Sequence, residues 1–174
     1  MARWRHVRGR APDRGAAAVE FALVVPLLLL LVMGILDYGR FFFDSVSLRQ
    51  GAREAARQAV VQPLVYPGVD AGGACNTKAT VGAKIACSAK AASDVTIGTP
   101  KVYIPAVTGG WAQGNQLLVC MESKEAGTGF VPLPASGILR TKTYMSIEVG
   151  SPIVNPAYSG DTAPSGSAWT SWCS

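Results

Sequence analysis

The chain has 174 residues, 49% of them apolar and only 16% charged, with 16 Lys+Arg against 11 Asp+Glu. So apolar a composition excludes an intrinsically disordered chain, and a charged share well below the roughly 25% usual in soluble proteins points to a segment that avoids water. The net charge of +5 does not make a phosphate-binding face, because five arginines and Asp13 put +4 into residues 1–15 and leave +1 scattered over the rest; no nucleic-acid partner is expected.

The basic stretch, residues 1–15, reads as a cytoplasmic leader. Residues 16–36, Ala16 to Leu36, carry one charge, Glu20. As a helix they span about 30 Å, the thickness of bilayer hydrocarbon. Arginines on the near side place the N-terminus in the cytoplasm and the rest outside, in the cytoplasmic membrane as a single-pass protein. A cleaved secretory signal is the competing reading. The long apolar run and the poor small-x-small site at Val32-Met33-Gly34 argue against it.

Two features of this run carry chemistry. Glu20 places a carboxylate in hydrocarbon, which costs about 2.5–3.5 kcal/mol on insertion scales. Cutting the chain after Gly15 would create a cationic amine at Ala16, one helical turn from Glu20. Without that amine, Glu20 would only reach back to the headgroups. Pro26 sits inside the run, where a membrane helix tolerates it.

The order Arg14-Gly15-Ala16-Ala17-Ala18-Val19-Glu20-Phe21, then EFALVVPLLLLLVMGILDYGR and Gln-Gly-Ala-Arg-Glu-Ala-Ala-Arg, resembles the TadE-like family of minor pseudopilins of the tight-adherence (Tad, or Flp) pilus. The specific likeness covers about residues 14–60. It implies processing by a prepilin peptidase between Gly15 and Ala16, and usually methylation of the new N-terminus. It also implies that Glu20, followed by Phe21, meets the amine of a neighbouring subunit during assembly. The partners implied are the membrane, the prepilin peptidase, other pilins or pseudopilins and the pilus assembly platform. The extracellular pilus is a second location. Tad-like pili serve adhesion, transport or DNA uptake, and no residue here chooses among them.

Residues 37–62 continue the helix to Pro63. Val46, Ala52, Ala55, Ala56, Ala59 and Val60 recur at helical spacing, opposite Arg49, Arg53, Glu54 and Arg57. The stripe Ala52/Ala55/Ala59 is expected to pack on the chain's own head. Gly34, Gly39 and Gly51 mark bends or close approaches.

Residues 63–150 form the expected head. A Pro/Gly-rich linker, Pro63 to Gly73, precedes a short helix over 78–92 with Val81, Ile85, Ala89 and Ala92 on one side. Strands are expected over Asp94–Gly98, Lys101–Ile104, Leu117–Glu122 and, with the clearest alternation, Thr141–Val149. The expected fold class is α+β and type IV pilin-like: a long N-terminal membrane-spanning helix followed by a small antiparallel β-sheet head. Between the last two strands, Phe130-Val131-Pro132-Leu133-Pro134 forms an apolar loop tip, read either as a subunit contact or as a cover over the core edge. Glu122 and Glu125 read as solvated loop charges. Residues 151–174 form a Ser/Pro/Gly-rich tail, with an end that Trp169, Trp172 and Cys173 should dock; an adhesive tip is a weaker alternative for these residues.

Cys75, Cys87, Cys120 and Cys173 all fall beyond the span, and an even count there favours two disulfides. Three pairings are open. Proximity favours Cys75–Cys87 with Cys120–Cys173, and the first requires the short helix to start near Thr80. There is no CxxC spacing, so no metal is expected. The single His, His6, lies in the leader, which excludes a His-based catalytic arrangement in the head; no phosphate loop or dinucleotide fingerprint occurs. Neither catalysis, nor a cofactor, nor a small-molecule substrate is expected. The alternative to a pilus subunit is a membrane-tethered extracytoplasmic binding or envelope module that never enters a filament.

Overall fold

The computed structural model describes residues 13–61, 74–148, 157–161 and 163–174. The arginine-rich leader with His6, the linker Pro63–Gly73, Val149 and the tail's first residues, 151–156, lie outside the described residues.

A single helix, α1, runs from Asp13 to Val61 over 49 residues with Pro26 inside it. The alanines and leucines from Ala16 on are strong helix formers. The helix begins before Gly15. Its last described residue is Val61. A second helix, α2, covers Val81–Ala92. Thr80 is its N-cap and accepts from the Ala83 N–H.

Three strands follow: β1 (Lys101–Tyr103), β2 (Gln116–Lys124) and β3 (Ile138–Ser146). They form one antiparallel sheet in the order β1-β2-β3. Tyr103 lies opposite Cys120, and Leu118 opposite Tyr144. The long apolar helix and the small antiparallel sheet are the α+β plan expected from the sequence.

Central strand β2 is buried on both faces. Leu117, Val119 and Met121 point to the main core with Leu48, Ala52, Ala55, Ala59, Ile85 and Ala89. The alanine stripe thus packs on the chain's own head. Val46, expected on the same face, is instead 53% exposed. The buried stripe runs through Asp37, Phe41, Asp44, Leu48, Ala52, Ala55 and Ala59, a steady three-and-four spacing that leaves position 46 on the other side. Gly51 is where the helices meet: a Cβ there would lie 2.6 Å from the Ala89 carbonyl oxygen and 2.7 Å from Ser93 Cβ.

The other face of β2 presents Leu118, Cys120 and Glu122 to the C-terminal residues. Cys120 is bonded to Cys173, and Trp169 stacks on Tyr103 with ring centroids 5.6 Å apart. Ile104 and Tyr158 exchange backbone hydrogen bonds at 2.9 and 2.8 Å. Asp161 accepts from the Val102 N–H at 2.9 Å and pairs with Lys90 at 2.6 Å. Burial pushes the Asp161 carboxyl upward, but the Lys90 hydrogen bond, the Val102 N–H and the charges of Lys90 and Lys101 hold it below the ordinary aspartate value. The tail is therefore a third layer over the sheet. The second disulfide joins Cys75 to Cys87, and the start of α2 just after Thr80 meets the geometric condition for that short link.

Further sequence expectations require correction. Asp94–Gly98 is not a strand; this segment attaches sideways to α1 through Thr96, and Gly98 presses so closely on Ser123 and Glu125 that no Cβ would fit. Nor are Glu122 and Glu125 solvated: they are 0% and 5% exposed. β2 extends to Lys124, so Glu122 lies beneath the tail. There it receives a hydrogen bond from Arg140 at 2.9 Å and one from the Ser165 N–H at 2.6 Å.

β3 also starts earlier than expected. Ala135, Ser136 and Gly137 all adopt positive φ, and a Cβ on Gly137 would collide with the Glu125 carbonyl. This left-handed turn brings Ile138 opposite Lys124. Beyond the strand, Ile147 keeps the alternation, buried with its N–H bonded to the Asn115 carbonyl at 2.8 Å.

Candidate functional site

The residues of the expected processing junction all lie on α1. Gly15, Ala16, Glu20 and Phe21 are exposed, Phe21 to 70%. A Cβ on Gly15 would meet nothing within 4 Å. Ala16 and Glu20 are one helical turn apart, about 6 Å along the axis. Among the described residues no basic side chain pairs with Glu20. The carboxylate is thus presented outward on a helix that carries no head at this level.

The lower half of the helix continues in the same way. Its most apolar window has mean hydropathy 2.7 and none of it is buried against the rest of the chain. Leu23, Leu27 and Ile35 are 74%, 63% and 72% exposed. The helix is long and apolar enough to cross a membrane, and an unburied face of this size in water would be costly, about 25 cal/mol per Å².

The upper half is clamped to the head by side chains that the sequence reading did not single out. Asp37 accepts from Thr128 Oγ1 at 2.6 Å and from the Thr128 N–H. Tyr38 donates its hydroxyl to the Pro132 carbonyl at 3.1 Å. Asp44, fully buried, accepts from the Thr96 N–H at 2.9 Å and from Thr96 Oγ1 at 3.0 Å. Each acid brings its charge into the interface with donors already arranged, which is what makes a buried carboxylate tolerable. Glu125 comes next to Asp44 and accepts from Ser123 Oγ at 2.8 Å. Burial, and then the neighbouring Asp44, push the Glu125 carboxyl above its ordinary value. The signal that could have found these acids is their seven-residue spacing, in register with Phe41 and Leu48.

An open hollow of about 610 Å³ lies between the β1–β2 loop and the start of β2, lined by Pro105, Val107, Asn115, Leu118 and Tyr144. Of these only Tyr144 is ionisable, and its hydroxyl is donated to the Ser174 carbonyl oxygen. Among the described residues, no group of three or more His, Cys, Asp or Glu could hold a metal ion.

The span, the exposed Glu20 and the Gly15–Ala16 junction therefore form one continuous helical element. Residues 15–57 match the family model described as TadE-like protein. The recognition as TadE-like, made from the residues around Gly15, holds over this segment. The match links the helix to Tad pilus assembly. It ends four residues before the end of α1 and takes in none of the head. No curated protein and no solved structure matches the chain.

Proposed function

We propose that this chain is a membrane-anchored minor pseudopilin that takes part in assembly of a Tad/Flp-type pilus. The observation that carries the reading is the coincidence of the TadE-like segment with one unbroken helix whose lower half is bare. In this reading a prepilin peptidase cuts after Gly15, and Ala16 becomes the new N-terminus. The subunit then leaves the bilayer by exchanging lipid around its lower helix for the helices of neighbouring pilins. Glu20 pairs with the Ala16 amine of a neighbour and fixes the register, with Phe21 beside it. The work is extraction and packing, not catalysis, and needs no cofactor. A head of this size suits a minor or priming subunit better than the repeated shaft subunit.

The test is the intact mass and N-terminal sequence of the protein made in its own host. The proposal expects a chain starting at Ala16, with or without a methyl group. A chain starting at Met1 or Ala2 would instead leave a tethered module outside any filament. A cut after the apolar run would mean a signal peptide.

A further inference from the structure

We propose that the loop between β2 and β3 is a second membrane contact, which seats the head on the lipid surface beside the helix. The inference rests on the reading of residues 16–36 as the membrane span, and adds to it a partner for a part of the head.

The first observation is depth. Val131 is the side chain beside Gly34, with its Cγ2 3.6 Å from where a Gly34 Cβ would stand. Gly34 lies about 27 Å along the axis from Ala16, inside the ~30 Å of hydrocarbon that the span is built to cross. The loop therefore touches the helix at the level of the outer leaflet. It is fixed there by the Thr128–Asp37 and Tyr38–Pro132 hydrogen bonds.

The second observation is chemistry. No charged residue occurs between Glu125 and Arg140. Phe130, at the tip, is 74% exposed, the equal of the lipid-facing Leu23 on the helix. Leu133 turns inward against the core, so the loop is anchored from behind while its tip points out.

The third observation concerns the backbone. Irregular chain near lipid is admissible only if its polar groups have partners. Pro132 and Pro134 have no N–H to satisfy, the Pro132 carbonyl accepts from Tyr38, and the Thr128 N–H goes to Asp37. Lys124, exposed at the end of β2 where the loop begins, is a cation suited to phosphate headgroups. Tyr38, at this level, is of a type enriched at membrane interfaces.

The occupant of the Phe130 tip is thus lipid, not a neighbouring protein. The described cysteines are both pairs disulfide-bonded, with none free, so a single introduced cysteine can carry a nitroxide label. The full chain is reconstituted into phosphatidylethanolamine/phosphatidylglycerol vesicles with the label at Phe130→Cys, at Ile35→Cys in the span, or at Thr108→Cys, exposed at the opposite end of the sheet. Relaxation by oxygen and by a water-soluble nickel chelate is then read at each site. The expected result is that label 130 loses relaxation by the chelate and keeps that by oxygen, as label 35 does, whereas label 108 responds to the chelate. An aqueous label 130 with label 35 in lipid would overturn the loop contact and leave the span standing. A label 130 immobilised and shielded from both reagents would mean a protein neighbour, and would also overturn it. An aqueous label 35 would remove the span and the loop contact together.

Discussion

Residues 15–36 and residues 37–61 of α1 continue one another without a break, yet the first half is exposed at nearly every position and the second buries a full stripe. The lower half is rich in leucine and presents it outward. The upper half is poorer in large apolar side chains and buries alanine, Phe41, Leu48 and two acids. Burial in this helix therefore follows what lies beside each residue more than how apolar the residue is. In the lower half nothing of the chain's own head lies alongside. In the upper half it is a head that comes close enough to touch the backbone at Gly51.

The comparison breaks most sharply at Glu20. Glu20→Ala is expected to abolish entry into the pilus while changing head stability by less than about 0.5 kcal/mol, since the side chain touches nothing in the head. Pilus yield in the host and denaturant unfolding of the purified chain read the two effects separately. Equal loss of both would show that the halves are not independent.

Removing the links that hold the tail should act in the opposite way. The Cys120–Cys173 disulfide closes 53 residues and Cys75–Cys87 closes 12. Chain entropy alone predicts a loss of about 4 kcal/mol for the Cys120→Ala/Cys173→Ala pair and about 3 kcal/mol for Cys75→Ala/Cys87→Ala. Urea unfolding of the full chain in detergent measures both, and the larger effect should expose the tail to protease.

Gly51→Ala tests the closeness of the upper half. The added carbon favours a helix by up to ~1 kcal/mol, and the collision with Ala89 and Ser93 costs about 1–3 kcal/mol, so a net loss of about 1–2 kcal/mol is expected in thermal unfolding. The same substitution at Gly39, where nothing lies within 4 Å, should show no such loss.

The smallest expected effect sharpens the role of the buried acids. Glu125 has its folded-state pKa raised by burial and by Asp44. The native state therefore holds a proton that the unfolded chain releases first. Stability from this group is fully present below the ordinary glutamate value and declines as pH rises through the raised one. Glu125→Gln, neutral at every pH, should flatten that decline and stabilise the chain at neutral pH, with the gap closing in acid. Unfolding midpoints from pH 4 to pH 8 would show it; parallel curves would refute it.

Much of this plan was legible along the chain. The helix shows itself by a long stretch with one proline and a steady period, and the family of residues 15–57 by the order of residues around Gly15 and Glu20. The end of β2 is not legible, because a strand covered on both faces has no alternation to mark it and its last two residues, Ser123 and Lys124, are polar. The burial of Glu122 depends on Arg140 and Ser165, which are remote in sequence. The same holds for Asp37, satisfied by Thr128 from 91 positions away. The tail's composition reads as loose, but its docked rings, its disulfide, Asp161 and the bonds of Tyr158 and Ser165 to the sheet hold it down.

The clamp has a mechanical consequence. From Asp37 to Val60 the helix is gripped at Asp37, Tyr38, Asp44 and Gly51 and along the alanine stripe, and it runs on into the span with no joint between. Base and head then turn as one lever. A tilt of 10° about the outer end of the span would swing the far end of α1, about 37 Å beyond it, sideways by about 6 Å. Torque applied to the lower helix would reach the top of the head with little slack to absorb it.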